Sequence, residues 1–271
     1  MRRQAAIVVV AALVLLSGCS LLGGPTPTGT DDPTSTATAT PRATASPTPA
    51  PYPSGYAASG VTNATAARQG HVEGLLSAAN FTLGYNATVR TENGTSRITL
   101  VQAVSPAEPR AVSDTLISAS GTRGSGAVRR TRFYANGTQY LRVQRGGNTT
   151  YGTIDGTVPP ATFVGRQYVD AALTNVTYDR ASRVERSGGA FFRFTADDIE
   201  DPGALLSSRV APENVTGGNV TLVVNGDGVV QSVRYRATVQ RDGRPVRYGV
   251  AFAIAGIDRT PVQRPEWARE G

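Results

Sequence analysis

Phe81, Leu83, Tyr85, Ala87 and Val89 alternate with Asn80, Thr82, Gly84, Asn86 and Thr88. A period of two describes a strand with one apolar and one polar face. Ile98 and Leu100 fall in the next strand. Asn136-Gly137, between residues 131–135 and 138–144, reads as a two-residue hairpin turn that needs positive φ at both positions. Gly188-Gly189 likewise joins residues 176–185 to 190–195. Val220, Leu222 and Val224 lead through Asn225-Gly226-Asp227-Gly228 to Val233, Tyr235, Ala237 and Val239. Asp242-Gly243 then turns the chain into Val246, Tyr248, Val250, Phe252 and Ile254. Turns this short force neighbouring strands to run antiparallel.

Three helices interrupt the strands. Val72, Leu75, Leu76 and Ala79 stand at i, i+3, i+4 and i+7, a helix before the first strand that Gly70 and Gly74 weaken. Pro160 at a first helical position opens a second, with Val164, Tyr168, Ala171 and Ala172 on one face. Asp201-Pro202, as cap and first residue, starts a third through Leu205 and Leu206. The fold class is α+β, a long antiparallel sheet with a few helices over one concave face.

The N-terminus carries a different signal. Arg2 and Arg3 precede an unbroken apolar run from Ala5 to Leu16, well short of the roughly 20 residues that span a bilayer as a helix. Leu16-Ser17-Gly18-Cys19 closes the run and resembles a prokaryotic lipobox, which implies cleavage before Cys19 and lipidation of its thiol. An uncleaved signal anchor is the alternative, and the run's shortness and the motif's position count against it. Cys19 is the only cysteine, so no intramolecular disulfide forms. Export through the general or the twin-arginine route both fit. Residues 19–56 are mostly Thr, Pro, Ala and Ser, a composition that cannot pack a core and favours extended states. The expected organisation is a signal peptide at 1–18, a lipid-anchored stalk at 19–56 and a folded domain at 57–271. The protein is then extracytoplasmic, with the membrane as partner through the lipid on Cys19.

Net charge is +7 for the chain and +5 once Arg2 and Arg3 are removed; every basic residue is Arg. Arg129, Arg130 and Arg132 cluster, as do Arg241, Arg244 and Arg247. Such a face attracts anionic headgroups, although charges of this kind are more often simply solvated. Outside the cell, nucleic acid is not an expected partner. Asn-X-Ser/Thr sequons at Asn63, Asn80, Asn86, Asn93, Asn136, Asn148, Asn175, Asn214 and Asn219 are candidate glycosylation sites. At Asn80, Asn86, Asn175 and Asn219, Asn and Thr are expected on the polar side of a strand.

Catalytic motifs are missing. His71 is the only histidine, no Gly-X-Ser-X-Gly elbow accompanies it, and a structural or surface role is expected. No Cys/His set suits zinc, and Asp197, Asp198, Glu200 and Asp201 lack the spacing of a calcium loop. With no nucleotide fingerprint either, neither a catalytic residue, a metal nor a cofactor is assigned, and the chain reads as a non-enzyme.

Tyr52-Pro53-Ser54-Gly55-Tyr56, Gly60-Val61-Thr62, His71 and Asn80-Phe81-Thr82 are similar to haloarchaeal members of an uncharacterised lipoprotein family. With the lipobox, stalk, first helix and antiparallel strands, the whole resembles the LolA/LppX-type lipoproteins. That resemblance implies an open antiparallel β half-barrel whose helices plug an apolar cavity, and a lipid or other hydrophobic ligand. Phe81, Tyr85, Tyr235, Tyr248 and Phe252 would line the concave side and meet Val164 and Tyr168 from the covering helix. If the helix packs closely, the same residues are ordinary core. The protein is then a structural or interaction module of the envelope.

Overall fold

The computed structural model describes residues 52–122, 124–186, 189–197, 205 and 214–269. The signal run, Cys19, the chain before Tyr52, Gly188, Asp198, Glu200, and the expected third helix apart from Leu205 lie outside these residues.

Two short strands, β1 (Tyr56–Ala57) and β2 (Gly60–Val61), form a small hairpin ahead of helix α1 (Ala64–Leu76). A first meander follows: β3 (Phe81–Thr91), β4 (Gly94–Ser105), β5 (Arg110–Gly121), β6 (Gly124–Ala135), β7 (Thr138–Arg145) and β8 (Asn148–Asp155). A 3-10 turn at Pro160–Phe163 and helix α2 (Arg166–Thr174) lead to the second meander. This comprises β9 (Arg180–Arg186), β10 (Gly189–Ala196), β11 (Val215–Asn225), β12 (Val230–Arg241) and β13 (Arg244–Ala255). Pairing of β3 with β13 fuses both meanders into one 11-stranded antiparallel sheet, ordered β8-β7-β6-β5-β4-β3-β13-β12-β11-β10-β9. β8 and β9 stay unpaired at its two edges, so the sheet is an open half-barrel, as expected.

Turn chemistry sets this topology. Asn136 and Gly137 take φ of 52° and 79°, and Asp242 and Gly243 take 52° and 73°. Both pairs have the mirror-image twist that matches the twist of the flanking strands.

α1 starts where Asn63 caps it, its Oδ1 accepting the Ala66 N–H at 3.0 Å. Its fully buried residues are Ala67, His71 and Leu75; of the expected face, Leu75 is buried, Val72 and Leu76 are half-buried against the core, and Ala79 lies past the helix end and is exposed. A Cβ on Gly74 would stand 2.4 Å from Val229 Cγ2, and one on Gly70 would stand 3.8 Å from the Gly228 Cα. The residues that weaken an isolated helix are the surface on which this one meets the β11–β12 turn.

The expected second helix is two pieces. Gly165, at φ 75°, breaks it between the 3-10 turn and α2, and the fully buried residues of α2 are Val169, Ala172 and Leu173. Because β8 and β9 are opposite edges, the chain joining them has to cross the sheet. It does so as a strap over the concave face. The Tyr134 hydroxyl oxygen on β6 accepts the Val158 N–H of the strap at 3.0 Å, and Gln102 on β4 donates to the Phe163 carbonyl at 2.9 Å. Further on, Tyr168 stacks on Tyr85 of β3 with centroids 4.3 Å apart, and Tyr178 donates to the Ala172 carbonyl at 2.8 Å. Arg68 of α1 and Arg166 both pair with Asp170, tying the two helices together.

Tyr52 and Tyr56, at the end of the stretch read as stalk, pack on the folded body. Tyr52 lies 4.8 Å from Phe192 and Tyr56 stacks 5.5 Å from Phe194.

Candidate functional site

Strand register sorts the concave side chains into cross-strand rows. One row runs Phe194, Leu222, Val233, Phe252, Tyr85, Leu100, Thr115, Arg130. The strap crosses this row and the two nearer the start of β3, where it packs on Leu83 and Phe252. Phe81, Val164 and Phe252 are each 1% exposed or less. A Cβ on Gly165 would stand 2.3 Å from Leu83 Cδ1 and 2.9 Å from Phe252 Cε2. These three residues, expected to line a ligand cleft, are packed core. The reason is steric: Gly165 has no side chain, so the strap backbone lies directly on them.

His71 belongs to this packed region. It is fully buried, in the middle of α1, and not at a helix edge or on the surface. Its Nδ1 accepts the Val230 N–H at 3.2 Å, so Nε2 carries the proton and donates to the Val164 carbonyl at 3.1 Å. One neutral ring thus joins α1, β12 and the strap. Burial pushes its pKa down to about 4, against smaller upward effects of the Val164 hydrogen bond and the Asp170 charge.

The tyrosines mark the border of the packed region. Tyr85, Tyr168 and Tyr248 are half-buried, and Tyr235 is buried. Burial raises the Tyr235 and Tyr85 hydroxyl pKa values, with a lesser contribution from Tyr85 on the first and Tyr168 on the second. Of the expected ligand-lining residues, Tyr85 and Tyr168 stack on each other at this border, and Tyr235 and Tyr248 lie one and two rows beyond Tyr85 on β12 and β13.

Beyond them, on β3 to β6, no described residue covers the concave face. The next row reads Ala87, Ile98, Ile117, Val128, and the one after it Val89, Ser96, Ala119, Gly126. Val89, Ser96, Ala119 and Gly126 line a depression of about 610 Å³, edged by Thr91, Asn93, Thr95, Ser120 and Ser125. Ile117 and Val128 line an adjoining one of about 420 Å³ that shares Ala119 and Gly126 and is edged by Arg145. Both volumes fall in the roughly 300–1,000 Å³ range of small-molecule sites. Their concave-side floor is aliphatic and small-residue, and Ile98, paired with Ile117 across β4 and β5, is 40% exposed. Arg130 and Arg132 stand on the same face, exposed and without an ion pair among the described residues, whereas Arg129 points to the other face and pairs with Asp114. The arrangement is an apolar strip with a cationic margin. Sequence reasoning did not find it, because its residues are neither large nor aromatic.

Among the described residues no group of three or more His, Cys, Asp or Glu side chains could hold a metal ion. Asp197 pairs with Arg180, and its backbone N–H donates to Asp179. No described helix is long and apolar enough to cross a membrane. Of the sequons, Asn63, Asn93, Asn136, Asn148, Asn214 and Asn219 are exposed, while Asn80, Asn86 and Asn175 are half-buried. Asn80 precedes β3 and accepts from the Thr260 N–H; Asn86 donates to Thr99; Asn175 caps the end of α2 and is not in a strand.

Among solved structures, the chain is similar to LprF from Mycobacterium bovis, at 12% identity and a TM-score of 0.36 over 75% of this chain and 96% of that one. It is similar to the Mycobacterium tuberculosis lipoprotein LppX, at 9% identity and 0.34, over 74% and 97%. A DUF1329 family protein from Desulfovibrio piger matches at 9% identity and 0.25, over 75% and 95%. Overlaps this loose carry no argument about ligand or activity. No curated protein matches the sequence. A family model does match, over residues 4–271, and the chain accordingly belongs to DUF7537, a family of unknown function.

Proposed function

We propose that this protein is a lipid-anchored, non-catalytic envelope lipoprotein that carries a hydrophobic ligand in the open part of its half-barrel. The observation that carries this reading is the uncovered strip of Val89, Ile117 and Val128, with the exposed Ile98 in the same row as Ile117, beside a strap that lies tightly on Leu83 and Phe252. A buried core would leave no such strip. An alkyl chain laid on it is covered on one side, so each CH₂ contributes roughly 0.4 kcal/mol, half the value for full burial. Arg130 and Arg132 then stand where an acidic end group would sit. Tyr85 and Tyr168 close the strip at its inner end, and Tyr235 and Tyr248 flank its rows on β12 and β13. Anchoring through Cys19 places the carrier at the outer membrane surface, on a stalk that ends before Tyr52, and exposed sequons such as Asn63, Asn136 and Asn148 have room for a glycan. Phe81, Val164 and Phe252 support the site from below without touching the ligand.

Organic extraction of protein purified from its native membrane, followed by mass spectrometry, tests the reading. The expected result is a co-purifying long-chain lipid besides the one attached to Cys19; a Cys19→Ser chain should lose the attached lipid and keep the bound one. Recovery of no bound lipid from either form would leave a structural module of the envelope.

A further inference from the structure

The opposite, convex face of the sheet carries a second feature, independent of whether the strip holds a ligand. Register places Arg247 of β13 directly across from Arg90 of β3. One row away, Arg236 of β12 and Arg97 of β4 flank Gly249 and Thr88 in a single cross-strand line. Arg234 stands two residues from Arg236 on the same face. All five are exposed, and none has an ion pair among the described residues. Of the two arginine clusters visible in the linear sequence, only Arg247 belongs to this patch. Arg129, Arg130 and Arg132 divide between the two faces, and Arg244 pairs with Glu92 at the hairpin tips.

Like charges directly opposite each other destabilise a sheet, and opposing or diagonal Cβ atoms lie only about 5–8 Å apart. Four arginines packed around Gly249 and Thr88 therefore cost the folded state stability, and no ion pair among the described residues offsets it. A multivalent anionic partner would offset it. The residues at the centre of the patch are small, with Ala251 beside Gly249, so the guanidinium groups stand around a low platform with no cradle for one free anion. Such a platform suits several anions presented together in a plane. We propose that Arg90, Arg97, Arg234, Arg236 and Arg247 form a docking face for the anionic headgroups of a bilayer. Arg suits this role through paired hydrogen bonds to phosphate oxygens.

The test uses the full, unglycosylated chain carrying Cys19→Ala, because Asn86 and Asn219 adjoin the platform and an attached lipid would mask it. Co-sedimentation is measured with phosphatidylcholine vesicles with and without phosphatidylglycerol. The ratio of the two affinities cancels any contribution of the apolar N-terminal run. Each surface arginine is worth about fivefold near an anionic membrane. The R90Q/R247Q chain should lose at least tenfold of the phosphatidylglycerol-dependent binding, and its thermal midpoint should rise or hold. R259Q/R269Q, which removes the same charge from exposed positions outside the platform, should bind like the unmodified chain. Equal loss in both double variants, or no loss in R90Q/R247Q, would overturn the proposal. Complete displacement by soluble polyglutamate at matched charge would also overturn it, assigning the face to a soluble polyanion.

Discussion

Lowering the pH from 6.5 to 4 is expected to remove about 3 kcal/mol of stability through His71. In the folded protein the ring is neutral, buried, and hydrogen-bonded in one tautomer between the Val230 N–H and the Val164 carbonyl. Protonation would put a second N–H where Nδ1 now accepts, facing the Val230 donor, with no water to solvate the charge. The unfolded chain binds the proton at its ordinary pKa of 6.5, and the folded chain only near 4. Between those values the unfolded state holds more protons, so stability falls as pH falls; above 6.5 the contribution is fully present. Urea titrations at pH 7 and pH 4.5 measure it. Carboxylates also titrate toward the acid end, so the informative comparison is with His71→Gln, which cannot titrate and keeps a donor and an acceptor. The steep acid loss should be confined to the unmodified chain. An equal loss in both proteins would remove His71 as its cause.

The second large effect is expected at Gly165. Alanine there meets two costs at once. A left-handed backbone, φ 75°, disfavours any residue with a Cβ by roughly 1 kcal/mol. The added methyl also overlaps Leu83 Cδ1 and Phe252 Cε2, and overpacking of this kind costs about 1–3 kcal/mol. Gly165→Ala should therefore lose about 3 kcal/mol in urea unfolding, since the strap cannot lift without breaking the His71 contact to Val164. A loss below about 1 kcal/mol would mean that the strap does not press on the sheet as described.

The two effects come from residues whose importance one dimension hides. β3 and β11 to β13 were legible because each carries buried apolar residues on one face, such as Phe81 and Leu83, Val220 and Leu222, Val233 and Tyr235, and Phe252 and Ile254, so apolar and polar residues alternate there. β5 and β8 were not recognised. Leu116 and Ile117 of β5 point to opposite faces, and both are accessible; every residue of β8 is exposed. Where neither face is buried, the two-residue period has no reason to appear. The site was misplaced for a related reason. The largest apolar residues attract attention, but these are the ones the strap covers, so Phe81 and Phe252 are core. The uncovered strip consists of Ala, Val, Ile, Ser and Gly. Where the strap falls along the strands depends on Gly165 and on partners as remote as Gln102 and Tyr134, and no local pattern encodes those. The arginine platform is similarly invisible, because it gathers its side chains from four strands.

Neighbouring residues on β5 test the central claim most directly. Ile117 lies on the concave strip and Leu116, 41% exposed, on the opposite face. Both positions are accessible enough to accept a carboxylate without unfolding the sheet. Binding of a fluorescent long-chain fatty acid is measured by titration into the unmodified, Ile117→Glu and Leu116→Glu proteins. The account predicts at least tenfold weaker binding for Ile117→Glu, unchanged binding for Leu116→Glu, and similar thermal midpoints for all three. Equal affinities in the two variants would contradict a ligand site on the concave strip.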